Sequence, residues 1–229
     1  MLCIKSVVNI KCQYCLGLTI RFGSVDNKQR YRCKDCKRTQ LKDYLSNACK
    51  AGINPEIAAH IKEGCGIRNI SRLLHIAAGT VLSGIKKIAD NIKKPAIRMQ
   101  MTYEVDELKT YIKNKTKECW VIYALDRQSK QVVDIKVGGR TKKNLKRVTD
   151  TLVLANCKEI FTDGLPLYRD LIPVELHKVK RYGTNHIERK NLSLRTHLKR
   201  LNRKTIAFSK SLLMLEACLK IYFWYGVQL

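Results

Sequence analysis

Two periods of apolar residues separate predicted helices from predicted strands in this chain. Over residues 182–211, Ile187, Leu194, Leu198 and Leu201 recur at helical spacing, so they share one face of a helix that can pack on a core. The remaining positions of this segment are dense with Arg, Lys and Asn. The pattern predicts a helix with one buried stripe and a basic outer surface.

From residue 101 onward the pattern changes to the alternation of β-strands. Residues 102–112 place successive side chains on opposite faces, and residues 118–126 and 131–139 predict a hairpin. Residues 141–156 have the period of an amphipathic helix. Strand, hairpin and helix in this order are typical of an α/β domain.

A second buried strand is predicted within residues 158–168, and it ends at Asp163 and Gly164. Ligands of open α/β sheets gather at the carboxyl ends of strands, so Asp163 is a candidate site residue. The alternative is an ordinary turn residue before glycine. Residues 209–226 then predict a closing core helix, whose aromatic run at 222–225 belongs to the core rather than to a protomer contact. Together these elements predict a mixed sheet flanked by helices.

Residues 53–92 have the pattern of three helices, with a short break at 75–76. This is the pattern of a helix-turn-helix, although a plain three-helix bundle would produce it too. The predicted core residues are Ile70, Leu73, Leu74, Ile76, Val81 and Ile85. The outward residues of the recognition helix, predicted to contact DNA, are Thr80, Ser83, Lys86 and Lys87.

Ten cysteines occur in the chain, and four of them have metal-ligand spacing. Cys12 and Cys15 form one CxxC pair, Cys33 and Cys36 form another, and 17 residues separate the pairs. This spacing predicts a zinc ribbon with two strands around a turn near residues 23–27, and four thiolates leave no open position on a structural Zn²⁺. The other cysteines are predicted to be buried apolar side chains: Cys3, Cys49, Cys65, Cys119, Cys157 and Cys218.

The charge of the chain restricts its partners. Lys and Arg total 45 against 19 acids, a formal net charge of +26 with a pI near 9.8. A positive field of this size favours nucleic acid as the partner, and a basic ribosomal or membrane-surface protein is the alternative. The first twelve residues lack a long apolar run and no segment approaches 18 uncharged apolar residues, so a soluble protein that is not exported is expected.

Three domains follow from these patterns: a zinc ribbon at 1–45, an all-α helix-turn-helix domain at 46–95, and an α/β domain at 96–229. Lys93, Lys94 and Pro95 mark the linker before the third domain, because proline ends a helix.

Three carboxylates occupy positions that favour metal chemistry: Asp106 in the first strand, Asp163 at a strand end, and Glu188 early in the basic helix. Hard divalent cations prefer carboxylate oxygens as ligands. Two such cations bound about 4 Å apart can catalyse phosphodiester chemistry. Glu188 has a simpler interpretation, a capping box with Asn185 as N-cap. Glu107 is the alternative to Asp106, although strand alternation points it to the other face.

The remaining acids of this region are predicted to be solvated or to lie in turns: Glu104, Glu107, Asp126, Asp134, Asp150 and Asp170. Arg195 and Lys199 lie on the same surface of the basic helix as Glu188, where they are predicted to contact DNA phosphates.

Several motifs resemble the transposases of the bacterial insertion sequence one family, within the group that has an Asp-Asp-Glu triad. They are the CxxC pairs with QRYRC at the second, the helix-turn-helix pattern, EVDE, FTDGLPLY, and HIERKNLSLRTHLKRLNRKT followed by FSKS. The resemblance covers nearly the whole chain. Gln13 stands where the first knuckle often has Pro, and Gly164 stands where a second acid can follow the catalytic Asp.

The resemblance implies a ribonuclease-H-like catalytic domain with Asp106, Asp163 and Glu188 as the triad, separated by 56 and then 24 residues. It implies Mg²⁺ or Mn²⁺ at the triad, N-terminal modules that bind terminal inverted repeats, and strand cleavage and transfer on double-stranded DNA. A homodimer or higher oligomer on DNA and a cytoplasmic, nucleoid-associated bacterial location are expected. The rival functions are a non-catalytic DNA-binding regulator and a structure-specific nuclease.

Overall fold

The computed structural model describes residues 10–50 and 52–226, which form two compact units. The smaller unit contains the described residues before Asn54 together with Leu74–Ile76. The larger unit contains Asn54–Leu73 and the described residues from Ala77 onward. The helices between residues 54 and 91 therefore belong largely to the same unit as the α/β region.

An antiparallel sheet of three strands builds the smaller unit, in the order β1 (Thr19–Val25), β2 (Lys28–Cys33) and β3 (Thr39–Leu41). Asp26 and Asn27 form the β1–β2 turn with φ values of 47° and 59°, the left-handed conformation that matches hairpin twist. The predicted pair of strands is confirmed, and β3 is an additional strand. Nearly every β1 side chain is exposed, so this sheet buries little apolar surface.

Three helices occupy the region predicted to be helical: α1 (Ile53–Lys62), α2 (Ile67–Leu73) and α3 (Ala78–Asn91). Four of the predicted core residues are buried, namely Ile70, Ile76, Val81 and Ile85, and Leu74 is half-buried. The prediction for Leu73 is wrong, because this side chain is 56% exposed. The left-handed backbone at His75 (φ 51°) turns the chain after α2, so that Ile76 rather than Leu73 enters the core.

A mixed sheet of five described strands forms the centre of the larger unit. The strands are β4 (Thr102–Tyr111), β5 (Glu118–Asp126), β6 (Val132–Gly138), β7 (Glu159–Phe161) and β8 (His177–Lys178), in the order β6-β5-β4-β7-β8. The first three are antiparallel neighbours, whereas β7 pairs parallel with β4 and β8 pairs parallel with β7. The predicted strand, hairpin and mixed sheet are confirmed.

Helices cover both faces of this sheet. On one face α4 (Lys142–Leu154) and α5 (Pro166–Arg169) pack on a cluster that includes Tyr103, Val105 and Ile122. On the other face α6 (Asn185–His197) and α7 (Leu212–Trp224) pack on Leu108, Val121 and Tyr123. This arrangement fits the ribonuclease-H-like domain that the sequence implied. Among the described residues no helix is long and apolar enough to cross a membrane.

The basic segment departs from its prediction, because α6 ends at His197 and a 3-10 turn follows at Lys199–Leu201. Leu198 leaves the helical conformation (ψ 94°), and the Arg195 guanidinium donates to the Leu201 carbonyl over 3.0 Å. This turn keeps Leu201 in the core. The predicted stripe is therefore buried as expected, although a single helix does not span it.

Four acids that were predicted to be solvated or in turns are buried instead: Glu104, Glu107, Asp126 and Asp134. Each has a cationic partner, as Asp126 has Arg98 and Asp134 has Lys94, which offsets the cost of removing the charge from water. Asp150 and Asp170 pair with lysines nearer the surface, in agreement with their prediction.

The unpaired cysteines do not share one environment. Cys119, Cys157 and Cys218 are buried as predicted, but Cys49 is exposed and Cys65 is half-buried. Cys49 closes a short 3-10 turn at Asn47–Cys49, a segment with no buried residue. Cys3 lies outside the described residues.

Candidate active site

Four cysteine sulfurs converge in the smaller unit. Cys12, Cys15, Cys33 and Cys36 place their Sγ atoms within 4.8 Å of one another, with Cys12–Cys36 at 3.6 Å and Cys15–Cys33 at 3.4 Å. A Zn–S bond of about 2.3 Å gives a tetrahedron with edges of roughly 3.8 Å, so the spacing fits a bound Zn²⁺.

Backbone groups hold the two cysteine knuckles in place. The Tyr14 amide donates to Cys12 Sγ and the Asp35 amide donates to Cys33 Sγ, each over 3.4 Å. A Cβ at Gly17 would lie 1.9 Å from the Asp35 carboxylate, so only glycine fits between the knuckles without a shift. The thiolate group is thus compatible with the predicted zinc ribbon.

The parallel pairing of β4 with β7 brings Asp106 and Asp163 together. In this register Glu104 of β4 pairs with Phe161 of β7. Asp106 and Asp163 each follow two residues later in the same direction along the chain. Their carboxylate oxygens lie within 4.8 Å of each other. Asp163 is exposed and its carboxylate accepts from the Leu165 amide (3.0 Å), so it combines an Asx turn with a position at the strand end.

Glu107 is the third member of this carboxylate group, which we call the acid cluster: Asp106, Glu107 and Asp163. Its side chain lies on the α4–α5 face, as strand alternation predicted, and is buried. The Tyr168 hydroxyl donates to one oxygen over 2.7 Å, and Arg140 lies 3.3 Å from the other. Glu107 therefore has protein partners for both oxygens while its carboxylate reaches the site.

Glu188 lies on the first turn of α6 and is exposed. It acts electrostatically on Asp106, but within the described residues the acid cluster contains Glu107 rather than Glu188. The Thr184 hydroxyl donates to Glu188 Oε1 over 2.7 Å. Thr184 is the N-cap and Asn185 is already helical, so the capping box with Asn185 as N-cap does not form.

Crowded carboxylates change the acidity of the site. Burial raises the pKa of Asp106, and the charges of Asp163 and Glu188 add to the rise, while hydrogen bonds from the Glu107 amide and Asn191 oppose it. Burial also raises the pKa of Glu107, against the hydrogen bond from Tyr168 and the attraction of Arg140. The site as it stands is short of positive charge, which is the condition that a divalent cation relieves.

Side chains that the sequence did not single out fix the orientation of these acids. Asn191 Nδ2 donates to Asp106 Oδ2 over 2.6 Å, and the buried Tyr123 hydroxyl donates to Asn191 Oδ1 over 2.8 Å. Asn191 lies three residues after Glu188, one turn along α6, so helical spacing from Glu188 could have found it. Nothing local in the sequence indicates Tyr123, Tyr168 or Arg140, because their contacts come from other elements.

The residues predicted to contact DNA fall into two groups. Ser83, Lys86 and Lys87 are exposed on α3 and Thr80 is half-buried. On the basic segment Lys199 is exposed, whereas Arg195 is half-buried and donates to the carbonyls of Leu201 and Lys109. Arg195 thus has a structural role in joining α6 to β4.

The mixed sheet and the helices on its faces fit a ribonuclease-H-like transposase domain, and a family model described as IS1 transposase matches residues 99–225. That match covers more than half of the 229 residues. The chain belongs to the IS1 transposase family.

The chain is also similar to insertion element proteins of enteric bacteria. Insertion element IS1 2 protein InsB of Escherichia coli (strain K12) is 42% identical over 108 residues, which are 47% of this chain and 65% of that protein. Insertion element IS1 protein InsB of Shigella flexneri is 41% identical over 108 residues, 47% of this chain and 82% of that protein. The chain therefore spans less than two thirds of the length of the E. coli relative.

One solved structure aligns with much of the chain at a low score. It is a chain of the cryoEM structure of the simian T-cell lymphotropic virus intasome in complex with PP2A regulatory subunit B56 gamma. The TM-score is 0.38 at 16% identity, over 71% of this chain and 66% of that chain. A likeness at this level supports no conclusion about this protein.

Proposed function

We propose that this protein is a DNA transposase that binds the terminal inverted repeats of an insertion sequence and catalyses strand cleavage and strand transfer. The observation that carries the proposal is the meeting of Asp106, within β4, and Asp163, just past the carboxyl end of the parallel strand β7. Family membership supplies the class of reaction, and the acid cluster supplies a place for it.

The proposed catalytic residues are Asp106, Asp163 and Glu188, which would hold two Mg²⁺ or Mn²⁺ ions. Asp106 and Asp163 fit such ions, because their carboxylate oxygens lie within 4.8 Å of each other, and the negative charge of Glu188 also acts on Asp106. Divalent ions bound there would activate an attacking oxygen and stabilise the leaving oxygen in an in-line displacement. Water is the first attacking group and the freed 3′-hydroxyl of the DNA is the second.

The protein's own groups orient this site. Asn191 fixes one Asp106 oxygen, the Leu165 amide fixes an Asp163 oxygen, and the Thr184 hydroxyl fixes a Glu188 oxygen. Asp163 and Glu188 each have one oxygen bonded in this way, and the second oxygen of Asp106 accepts from the Glu107 amide. All three acids keep lone pairs for a cation. These hydrogen bonds favour a site in which the carboxylates are already oriented before the metal and the DNA bind.

Recognition of DNA is assigned to other residues. Zn²⁺ on Cys12, Cys15, Cys33 and Cys36 would order the predicted zinc ribbon, and α3 would present Ser83, Lys86 and Lys87 to the duplex as the recognition helix of a helix-turn-helix. The excess of Lys and Arg supports binding to target DNA. A homodimer or higher oligomer would bring two ends together.

The test is strand transfer by the purified full chain on a short duplex that carries one inverted repeat from the element's own genomic copy. Products are separated on a denaturing gel in Mg²⁺. Asp106→Asn, Asp163→Asn and Glu188→Gln should each reduce transfer to background, because a neutral amide cannot replace an anionic ligand. Asp150→Asn is the matched control, since this surface acid pairs with Lys146 in α4 and should leave transfer unchanged.

The same gel separates the rival functions. Hydrolysis without joined products would identify a nuclease, and specific binding with no cleavage in any metal would identify a regulator. Wild-type transfer by Asp106→Asn or Asp163→Asn would overturn the assignment of this site. Binding of the duplex, measured by gel shift, should survive all three site substitutions.

A further inference from the structure

A fourth acid, Glu104, lies in β4 two residues before Asp106 and makes no contact with the acid cluster in the described residues. Its side chain is 0% exposed, the most complete burial of any acid in the larger unit. A buried carboxylate is costly unless it is paired and hydrogen-bonded, so its contacts must account for its presence.

All contacts of the Glu104 carboxylate with α6 fall on the first turn of that helix. Oε2 accepts from the Ile187 amide over 2.8 Å, and Oε1 lies 2.6 Å from His186 Nδ1. The Arg127 Nε atom is 3.3 Å from Oε1 and supplies a compensating charge. Two oxygens of one strand residue therefore bond two consecutive residues of the helix.

This bond replaces the usual cap of α6. The first amides of a helix have no partner within the helix, and an N-cap side chain normally accepts from one of them. The Thr184 hydroxyl is instead donated to Glu188, and no side-chain cap bond from Thr184 is present in the described residues. Glu104 supplies the missing acceptor from a neighbouring strand, at the helix end that attracts negative charge.

The consequence for the site is geometric. Glu104 is two residues from Asp106 on the same face of β4, and Ile187 is one residue from Glu188 on α6. A single buried contact thus ties the strand that carries one proposed triad residue to the helix turn that carries another. We propose that Glu104 is a positioning residue, which sets the place of Glu188 relative to Asp106 before metal binds. This inference rests on the proposed function of these two acids.

The test compares the full-length wild type with Glu104→Gln and Glu104→Ala. The first readout is the Mg²⁺ concentration that gives half-maximal strand transfer. Loss of an orienting group typically costs 10–100-fold in metal affinity, so we expect Glu104→Ala to raise this concentration by about that factor. Glu104→Gln should raise it less, because its amide oxygen still accepts from the Ile187 amide.

Asp134→Asn is the matched control. Asp134 is also a buried β-strand carboxylate of the same sheet, bonded by Lys94 and by Thr151 (3.1 Å), but it contacts no residue of α6 in the described structure. This variant should lose stability without a change in the half-saturating Mg²⁺ concentration. Equal shifts in Asp134→Asn and Glu104→Ala would mean that Glu104 has a general structural role, and would overturn the proposal.

A second readout does not depend on activity. Fe²⁺ that replaces Mg²⁺ cleaves nearby backbone when ascorbate and peroxide are added, and mass spectrometry locates the cuts. Wild type should be cut in β4, after β7 and at the first turn of α6, whereas Glu104→Ala should lose the α6 cuts and keep the others. Unchanged α6 cuts in Glu104→Ala, or in Glu104→Gln if the alanine variant does not fold, would contradict the proposal.

Failure of this inference is distinguishable from failure of the proposed function. If Asp106→Asn is inactive at every Mg²⁺ concentration while both Glu104 variants behave as wild type, only the positioning role is lost. If Asp106→Asn transfers strands normally, the site itself is wrongly assigned whatever the Glu104 variants do.

Discussion

The thiolate group of the smaller unit and the acid cluster of the larger unit differ in what holds them together. Around the cysteines almost every β1 side chain is exposed, and the buried residues of this sheet region are few: Cys12, Cys33 and Gln40. Around the carboxylates, two apolar clusters pack on the faces of the mixed sheet, and Asn191, Tyr168 and Arg140 bond the acids directly.

This difference predicts a different role for a metal ion at each place. A region with so little apolar burial cannot offset the loss of chain entropy by itself, so the ion would be part of its fold. A carboxylate site on a packed sheet exists before its ions bind, and mutual repulsion of the acids is the cost of that arrangement. In the proposed function the zinc ion would be structural, whereas the ions at the carboxylates would take part in the reaction on a domain that is already folded.

Removal of zinc should produce the largest effect on folding, and it tests directly whether the two regions differ in their need for a metal ion. We expect chelation to unfold residues 12–41 and leave β4–β6 protected, because structural zinc sites contribute on the order of 10 kcal/mol to folding. Hydrogen exchange with mass spectrometry measures both regions in one sample. Cys33→Ser should have the same effect as chelation, and Cys49→Ser, at an exposed cysteine, should have none.

Protection of β1–β3 that persists after chelation would show that the smaller unit has a sufficient core of its own. Both regions would then fold without a metal ion, and the difference between them would be lost.

The identity of the third acid should produce the next largest effect. Glu188→Gln is expected to abolish strand transfer in Mg²⁺, although its helix should persist because Gln and Glu have similar helix propensities. Glu107→Gln should keep measurable transfer but lose stability by about 1–3 kcal/mol, because Arg140 is left without its anion. Strand transfer and thermal unfolding of the two purified variants check both statements.

The opposite result would change the assignment of the third carboxylate. Activity in Glu188→Gln together with loss in Glu107→Gln would replace Glu188 by Glu107 as the third ligand, in agreement with the closer approach of Glu107 to Asp106 and Asp163.

Repulsion within the acid cluster should be measurable without DNA. Burial raises the pKa of Asp106, with the charges of Asp163 and Glu188 adding to it, so the folded state loses stability as pH rises through that pKa. Without metal and at neutral pH, the free energy of unfolding of Asp106→Asn should therefore be about 1 kcal/mol larger than that of the wild type, which corresponds to roughly 2–4 °C in Tm. This difference should become smaller at acidic pH.

Adding Mg²⁺ should reverse the order of stability of the two proteins. At about 100 times its Kd, an ion adds roughly 2.7 kcal/mol to the stability of the wild type, and Asp106→Asn should lose this gain. A wild-type Tm that Mg²⁺ does not change, or a metal-free variant that is less stable at neutral pH, would contradict the prebuilt carboxylate site.

The smallest effects are expected where residues touch only DNA phosphates. If the carboxylates act only in catalysis, other residues must bind the DNA. Lys86 and Lys87 on α3 are predicted to contact its phosphates. Lys86→Ala and Lys87→Ala should each reduce the slope of log K against log salt by about 1. Fluorescence anisotropy on the end duplex measures the slope, with Lys142→Ala on α4 as control. An unchanged slope in both α3 variants would remove this helix from the DNA interface.

The elements with local signals were the ones that could be predicted. The spacing of the four cysteines, the alternation over residues 102–112 and the hairpin at 118–139 required only neighbouring residues, and each element is present. The end of α6 was predicted too late and Leu73 was placed in the core, because a helix end depends on what competes for its last carbonyls and on the turn that follows.

The burial of acids was the clearest failure. Glu104 and Glu107 have no sequence feature that distinguishes them from solvated glutamates, because their partners are distant in the chain. Arg127, His186 and Ile187 contact Glu104, and Arg140 and Tyr168 contact Glu107. A carboxylate can be buried wherever cations and donors surround it, and these partners come from different elements.

The sequence by itself determined the strands β1, β2 and β4–β7, the buried stripe of the basic segment and the cysteine pairs, since each depends on a period of two, on a helical period or on a fixed short spacing. It did not indicate β3 or β8. Only the tertiary structure decided that β7 lies parallel to β4 in the register that places Asp163 beside Asp106, and that Glu104 holds the first turn of α6. Pairing between distant segments is selected by the packing of both sheet faces at once, and no local pattern contains that information.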